Sequence, residues 1–157
     1  MPDAELLPIG AIAPDFTLKD QHNGEVTLSE FRGAKNVVVL FYPATFTGVC
    51  RGELRAVQDD LDTFQNDDVQ VLAISVDSSF ANKVWAEQEG FTFPILSDFW
   101  PHGAVAQAYG VFNETAGRAL RGTFVIDKEG TVRWKVVNEI PVARDHDEYA
   151  KVLADLS

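Results

Sequence analysis

A strand, a helix and a second strand follow one another in the first half of the chain. Val37 to Tyr42 is a continuous β-branched and aromatic run, the pattern of a strand buried on both faces. An amphipathic helix is predicted over Val49 to Gln65. Its apolar side chains recur at helical spacing and are Leu54, Val57, Leu61 and Phe64. Val69 to Val76 is a second buried run. This order predicts a parallel βαβ unit with a right-handed crossover, which commits the chain to an α/β fold.

The second half adds helices on both sides of a hairpin. The predicted elements are a helix capped by Asp77–Ser79 and closed by Gly90, an extended segment at Phe93–Asp98, a short helix over Ala104–Tyr109, strands at Gly122–Ile126 and Thr131–Val137, and a closing helix over Asp145–Leu156. Such an order predicts a mixed sheet covered on both faces, a thioredoxin-like three-layer α/β/α sandwich. At 157 residues, residues 1–157 are expected to form a single domain.

Charge and hydropathy exclude several classes of partner. The chain has 13 Lys and Arg against 24 Asp and Glu, a formal charge of -11, so nucleic acid and anionic lipid are not expected to bind. No apolar run approaches the roughly 20 residues needed to span a bilayer. Met1–Glu5 lacks the features of a secretory signal. A single cysteine cannot form an internal disulfide, which fits a reducing cytoplasm. Neither a metal site nor a cofactor is expected.

The single cysteine, Cys50, follows the loop that ends the first buried strand. Open α/β sheets bind ligands at the carboxyl ends of their strands. Thr47 is a candidate N-cap that places Cys50 in a first helical turn, where free backbone N–H groups favour an anion. Arg51 and the adjacent glycines favour an open, electropositive setting. Cys50 also lies four residues before Leu54 on the apolar helix face, so a buried, inert cysteine remains an alternative.

Several motifs resemble those of peroxiredoxins. Pro43, Thr47 and Cys50 reproduce the Pro-x-x-x-Thr-x-x-Cys motif, while Ala13–Leu18 and Leu96–Asp98 resemble two further family segments. Ser97–Gly103 is similar to the one-cysteine alkyl hydroperoxide reductase E group of actinobacteria. The resemblance implies a thiol-dependent peroxidase of antioxidant defence that reduces hydrogen peroxide and organic hydroperoxides.

The resemblance also assigns roles to particular residues. It implies that Cys50 is the peroxidatic cysteine, which becomes a sulfenic acid, that Thr47 and Pro43 surround it, and that Arg121 is the active-site arginine. The residues expected in the substrate pocket or in support of the catalytic groups are Glu53, Phe46 and Trp100. Where the family commonly has Pro-Thr after the cysteine, this chain has Arg51 and Gly52.

The absence of a second cysteine from the sequence implies that an external thiol regenerates the enzyme. The resemblance points to mycothiol with a mycoredoxin-type reductase, or to a thioredoxin-like protein, and to a homodimer.

Elementary thiol chemistry shows why donors are needed around the sulfur. A free thiol with a pKa of about 8.5 is a few per cent ionised at pH 7, so complete ionisation raises the rate at most ~30-fold. The remaining acceleration has to come from groups that stabilise charge on the departing oxygen.

From the residues alone, alternatives remain open. Arg51 competes with Arg121 for the activating role, and Arg121 could instead form a surface ion pair with Asp127 or Glu129. A Cys–His hydrolase using His102, or a thioredoxin-like binding or holdase module with an incidental cysteine, are the competing functions.

Overall fold

The order of the main strands and helices follows the hydrophobic pattern of the sequence. The computed structural model describes residues 6–138 and 146–156, and only the backbone of residues 146 and 147. The strands are β1 Thr17–Lys19, β2 Glu25–Thr27, β3 Asn36–Phe41, β4 Val69–Ser75, β5 Ile95–Ser97, β6 Phe112–Asn113, β7 Arg118–Ala119, β8 Arg121–Ile126 and β9 Val132–Asn138. The helices are α1 Gly48–Asp59, α2 Leu61–Phe64, α3 Ser79–Glu89, α4 Ala104–Ala108 and α5 His146–Asp155, with a 3-10 turn at Leu28–Phe31.

A mixed seven-stranded sheet forms the middle of the molecule, in the order β2-β1-β5-β4-β3-β8-β9. Strand β4 pairs in parallel with β3 on one side and with β5 on the other. Strand β8 pairs antiparallel with β3 and continues through the Asp127–Gly130 turn into β9. The predicted mixed sheet, parallel βαβ unit and hairpin are therefore confirmed.

Both faces of the sheet are covered, because side chains alternate along each buried strand. From β3, Val38 and Leu40 pack in one apolar cluster with side chains of α1, α3 and α5. Val37 and Val39 pack in the opposite cluster, with side chains of α4 and of the N-terminal segment. This arrangement confirms the predicted three-layer sandwich, and it explains why β3 is apolar at nearly every position.

The helix predicted over Val49–Gln65 is two helices, so that prediction is wrong in its extent. Helix α1 ends where the Asp60 N–H is shared between the carbonyl oxygens of Ala56 and Val57, at 3.3 Å from each. The Asp60 carboxylate then accepts the Thr63 hydroxyl at 2.9 Å and starts α2. Aspartate interrupts helices in this way because its side chain competes for local hydrogen bonds. The break leaves Phe64 fully buried.

The remaining elements include one hairpin that the pattern does not predict and one helix that agrees with it. The sequence pattern does not predict the short β6–β7 hairpin, since its strands have two residues each. Helix α3 has the expected caps: Ser78 Oγ accepts the Ala81 N–H at 3.2 Å, and Gly90 has a φ of 74°. The predictions for Met1–Glu5 and for a helix start at Asp145 fall outside the described residues. Among the helices that are described, none is both long enough and apolar enough to cross a membrane.

Candidate active site

Cys50 lies in the first turn of α1, just beyond the carboxyl end of β3. Thr47 is the N-cap residue with extended backbone angles, as predicted. The Cys50 side chain is fully buried and belongs to the same apolar cluster as Leu54 and Val57. The expected open setting is therefore wrong, because Cys50 stands one helical turn before Leu54 and shares its inward face.

A buried guanidinium nevertheless lies against the sulfur. Arg121 Nη1 donates to Cys50 Sγ at 3.3 Å, and the same nitrogen donates to Glu53 Oε1. Arg121 and Glu53 are 2% and 3% exposed. Arg121 is therefore not part of a surface ion pair; Asp127 instead pairs with Arg133 at 3.3 Å. One cation thus lies between two groups that can each carry a negative charge, inside the protein.

Sheet register brings Arg121 to a cysteine 71 residues away. Strands β3 and β8 are antiparallel with Leu40 opposite Thr123, so the amino end of β8 lies at the carboxyl end of β3. Arg121 precedes Thr123 by two residues and therefore points to the same face of the sheet. That face is the one covered by α1, whose first turn carries Cys50.

The Thr47 hydroxyl donates its proton to a fixed acceptor. Its Oγ1 donates to the Ala44 carbonyl oxygen at 2.7 Å, and it makes no capping bond to a helix N–H. Because the hydroxyl proton is used in this way, the oxygen presents its lone pairs as an acceptor. Pro43 is buried, follows the last buried residues of the β3 segment, and has no N–H to offer.

The loop between Pro43 and Thr47 is held by buried polar groups that sequence reasoning missed. Tyr42 Oη lies 2.9 Å from Thr45 Oγ1, which donates to Asn82 Oδ1 at 2.7 Å. Burial raises the pKa of the Tyr42 hydroxyl above its ordinary value, and the nearby Asp77 and Cys50 raise it further. Tyr42 and Thr45 flank Pro43 in the motif, a signal that could have identified them, whereas Asn82 carries no such signal.

Three residues considered in the sequence analysis have their observed contacts with groups other than the sulfur. Arg51 Nε binds Glu89 Oε1 at 2.5 Å at the end of α3, so the arginine that contacts the sulfur is Arg121. Phe46 is 54% exposed and its ring centre lies 6.2 Å from that of Trp85. Trp100 is 81% exposed and lines a groove of about 460 Å³. That groove has none of the described residues Cys50, Thr47 and Arg121 in its lining.

The hydrolase alternative finds no support in the position of His102. Its Nε2 lies 2.7 Å from the carbonyl oxygen of Gly117, and its ring packs edge-on against Phe112. Across residues 6–138 and 146–156, no group of three or more His, Cys, Asp or Glu side chains is placed to hold a metal ion.

Comparison with known proteins decides the family. The sequence pattern of the AhpC/TSA family matches residues 9–135. The chain belongs to this family. Alkyl hydroperoxide reductase E of Mycobacterium tuberculosis is 55% identical over 152 residues, which cover 97% of this chain and 99% of that protein.

Solved peroxiredoxin structures share the fold of this family member. The AhpC of Enterococcus faecalis has a TM-score of 0.85 at 30% identity, covering 94% of this chain and 90% of its own. The reduced 2-Cys peroxiredoxin of Plasmodium vivax has a TM-score of 0.84 at 31% identity, covering 93% and 80%. The predicted peroxiredoxin resemblance and thioredoxin-like fold are confirmed. The protein is a thiol-dependent peroxidase, and its single cysteine fits a one-cysteine mechanism.

Proposed function

We propose that this peroxiredoxin reduces hydrogen peroxide and alkyl hydroperoxides at Cys50, and that an external thiol regenerates it. The contact of 3.3 Å between Arg121 Nη1 and Cys50 Sγ carries the proposal, since it gives the one sulfhydryl sulfur of the chain a buried cationic donor. The mycobacterial relative bears the name alkyl hydroperoxide reductase, which supports organic hydroperoxides as substrates.

In the oxidative step the Cys50 thiolate attacks one oxygen of the peroxide and the O–O bond breaks. Sulfur is oxidised to a sulfenic acid, and the leaving oxygen takes up a proton and departs as water or an alcohol. Arg121 stabilises the thiolate and then the charge that moves onto the departing oxygen. Its guanidinium has donors beyond Nη1, so it can serve both atoms.

The Thr47 hydroxyl orients the peroxide in this proposal. Because its proton is held by the Ala44 carbonyl oxygen, Thr47 Oγ1 accepts the O–H of the incoming peroxide. Pro43 contributes a buried wall without a competing N–H donor. Glu53 binds the nitrogen of Arg121 that contacts the sulfur and therefore fixes the orientation of the guanidinium.

In the reductive step an external thiol attacks the sulfenic acid, forming a mixed disulfide and water. A second thiol then releases the Cys50 thiol and leaves with the first as a disulfide. Because the Cys50 side chain is fully buried, the first turn of α1 has to open before a thiol reaches it. Gly52, two residues after Cys50 in α1, lowers the cost of opening. Mycothiol with a mycoredoxin-type protein, or a thioredoxin-like protein, are the reductants we propose.

A second copy of the chain is the partner we propose for an exposed apolar surface around α3. The surface, called the α3 patch, consists of Phe46, Val49, Phe80, Val84, Phe99 and Trp100, each at least 37% exposed. Large exposed apolar side chains of this kind are typical of a protein–protein interaction surface. A homodimer predicts that Phe80→Ser lowers the mass in sedimentation equilibrium, whereas Ile9→Ser, at a similarly exposed apolar site, does not. A monomer in the unmodified protein would refute this assembly.

The reducing compartment that suits a lone cysteine leads us to propose a cytoplasmic location.

Turnover with several peroxides tests the proposed function. We expect one equivalent of peroxide to remove one thiol, which dimedone traps as a sulfenic acid, and continued consumption to require an added thiol. Cys50→Ser should consume no peroxide. Peroxide consumption by the Cys50→Ser variant, or continued turnover of the unmodified enzyme without a thiol, would contradict the one-cysteine mechanism.

A further inference from the structure

One residue, Thr45, anchors the loop between β3 and α1 to three separate parts of the molecule. Its backbone N–H donates to Asp77 Oδ2 at 2.8 Å, in the turn before α3. Its hydroxyl donates to Asn82 Oδ1 at 2.7 Å, on α3 itself. Since that hydroxyl has a single proton, the contact of 2.9 Å with Tyr42 Oη has Tyr42 as its donor. The loop is therefore fixed from Tyr42 just after β3, from α3 and from the turn between β4 and α3.

The residues that follow Thr45 depend on this anchoring. Phe46 has a φ of 69°, in the left-handed region that a non-glycine residue occupies only when its surroundings fix it. Thr47 then donates to the carbonyl of Ala44, the residue before Thr45. The position of Thr47 Oγ1 is thus set by the backbone on both sides of Thr45.

Asn82 lowers the stability of the fold if its side chain serves packing alone. The residue is fully buried, and its Nδ2 has no hydrogen-bond partner among the described residues. Leaving a buried N–H unpaired destabilises the fold, and an apolar side chain would avoid that cost. An apolar side chain would, however, leave the Thr45 hydroxyl without its acceptor.

We propose that Asn82 is a positioning residue for peroxide reduction, acting through the Thr45 hydroxyl on the loop that places Pro43 and Thr47 beside Cys50. The hydrogen bonds of Thr45 run to Tyr42, Asp77 and Asn82 and not to the sulfur, so we infer an effect on geometry alone. The inference rests on the proposed role of Thr47 as acceptor for the peroxide. A loop displaced by about 1 Å can slow a reaction by up to a hundredfold.

Stopped-flow rates of Cys50 oxidation by hydrogen peroxide test this inference in Asn82→Ala, Thr45→Val and Thr45→Ser. We expect the first two variants to be slower by about tenfold to a hundredfold. The double variant should be no slower than the slower single variant, because both changes break the same hydrogen bond. Thr45→Ser keeps the hydroxyl and should retain most of the rate. Alkylation of Cys50 by iodoacetamide should change far less than oxidation, since Thr47 acts on the peroxide.

Controls separate positioning from loss of stability. Val132→Ala opens a cavity in the opposite apolar cluster and should lower the melting temperature without slowing oxidation. If Asn82→Ala does not fold, Thr45→Val gives the result alone, because valine nearly matches the volume of threonine. Oxidation at the unmodified rate in folded Thr45→Val would overturn the inference. Thr47→Val, measured in parallel, separates the proposed role of Thr47 from the positioning role of Asn82. If Thr47→Val also reacts at the unmodified rate, the role of Thr47 as acceptor for the peroxide fails as well. A slow Thr47→Val beside a fast Thr45→Val refutes the positioning role alone.

Discussion

Removing the guanidinium of Arg121 should slow the oxidation of Cys50 by two to three orders of magnitude. The simple variant is confounded, because it breaks the buried ion pair between Arg121 and Glu53, a change that costs about 3–5 kcal/mol of stability. The informative comparison is therefore between Glu53→Gln alone and the double variant Glu53→Gln/Arg121→Gln. Both lack the buried carboxylate, so they differ in the guanidinium.

The size of the effect follows from the contact between Arg121 Nη1 and Cys50 Sγ. At 3.3 Å and an effective dielectric constant of about 20, two unit charges attract by about 5 kcal/mol before desolvation. The net value of a hydrogen bond to a charged group is smaller, about 1.5–3 kcal/mol. Losing one preorganised donor to a developing anion costs about 2.7–4 kcal/mol, or 10²–10³ in rate. Since one guanidinium supplies both effects, we take the larger rather than their sum.

Stopped-flow fluorescence at pH 7 and pH 9.5 separates stabilisation of the thiolate from stabilisation of the departing oxygen. Loss of thiol ionisation alone accounts for at most ~30-fold at pH 7 and for little above the ordinary thiol pKa of about 8.5. We expect the double variant to remain slow at pH 9.5, because the departing oxygen has lost its donor. A double variant within threefold of Glu53→Gln at both pH values would refute the role of Arg121.

One substitution tests the opening of α1 near Cys50, and one alkaline titration tests the burial of the tyrosines. Gly52→Ala should slow reduction by an external thiol about fivefold while leaving peroxide oxidation unchanged. Alanine stabilises the helix by about 1 kcal/mol, and an added Cβ at this position has no atom within 4 Å. An unchanged reduction rate would count against an opening step at Gly52. Burial raises the pKa of Tyr42 and Tyr109 above 10, so the folded protein keeps phenolic protons that the unfolded chain releases. Their contribution to stability is complete below pH 10 and is lost as the pH rises beyond it. Absorbance at 295 nm should therefore show these two ionising together with alkaline unfolding, and ionisation of all three tyrosines near pH 10 in the intact fold would contradict their burial.

Much of the fold was predictable because its elements are amphipathic at a clear period. Strand β3 and helix α3, with Gly90 as its C-cap, could both be predicted from residue type alone. The break at Asp60 was not, since the hydrogen bonds that end α1 and start α2 there have no periodic signature. Local patterns of this kind report which face of an element is buried and not where hydrogen bonding interrupts it.

The candidate site was predictable where it follows the motif and unpredictable where it depends on register. Cys50 and Thr47 stand at fixed spacing after β3. Arg121 reaches them through the antiparallel pairing of β3 with β8, which no sequence period reveals, and the resemblance alone pointed to it. The aromatic character of Trp100 beside Pro101 predicts either a wall of the substrate pocket or a dimer contact, and in the structure Trp100 lines an exposed groove whose lining lacks Cys50.

The rate of the first oxidation of Cys50 tests the central claim most directly. One equivalent of peroxide is mixed with the reduced enzyme, and the sulfenic acid is counted by mass spectrometry of its dimedone adduct against time. A thiolate held by Arg121 should react at least about a hundredfold faster than free cysteine at the same pH, with one oxygen added per chain. Oxidation no faster than that of free cysteine would show that the guanidinium beside the sulfur does not promote the reaction.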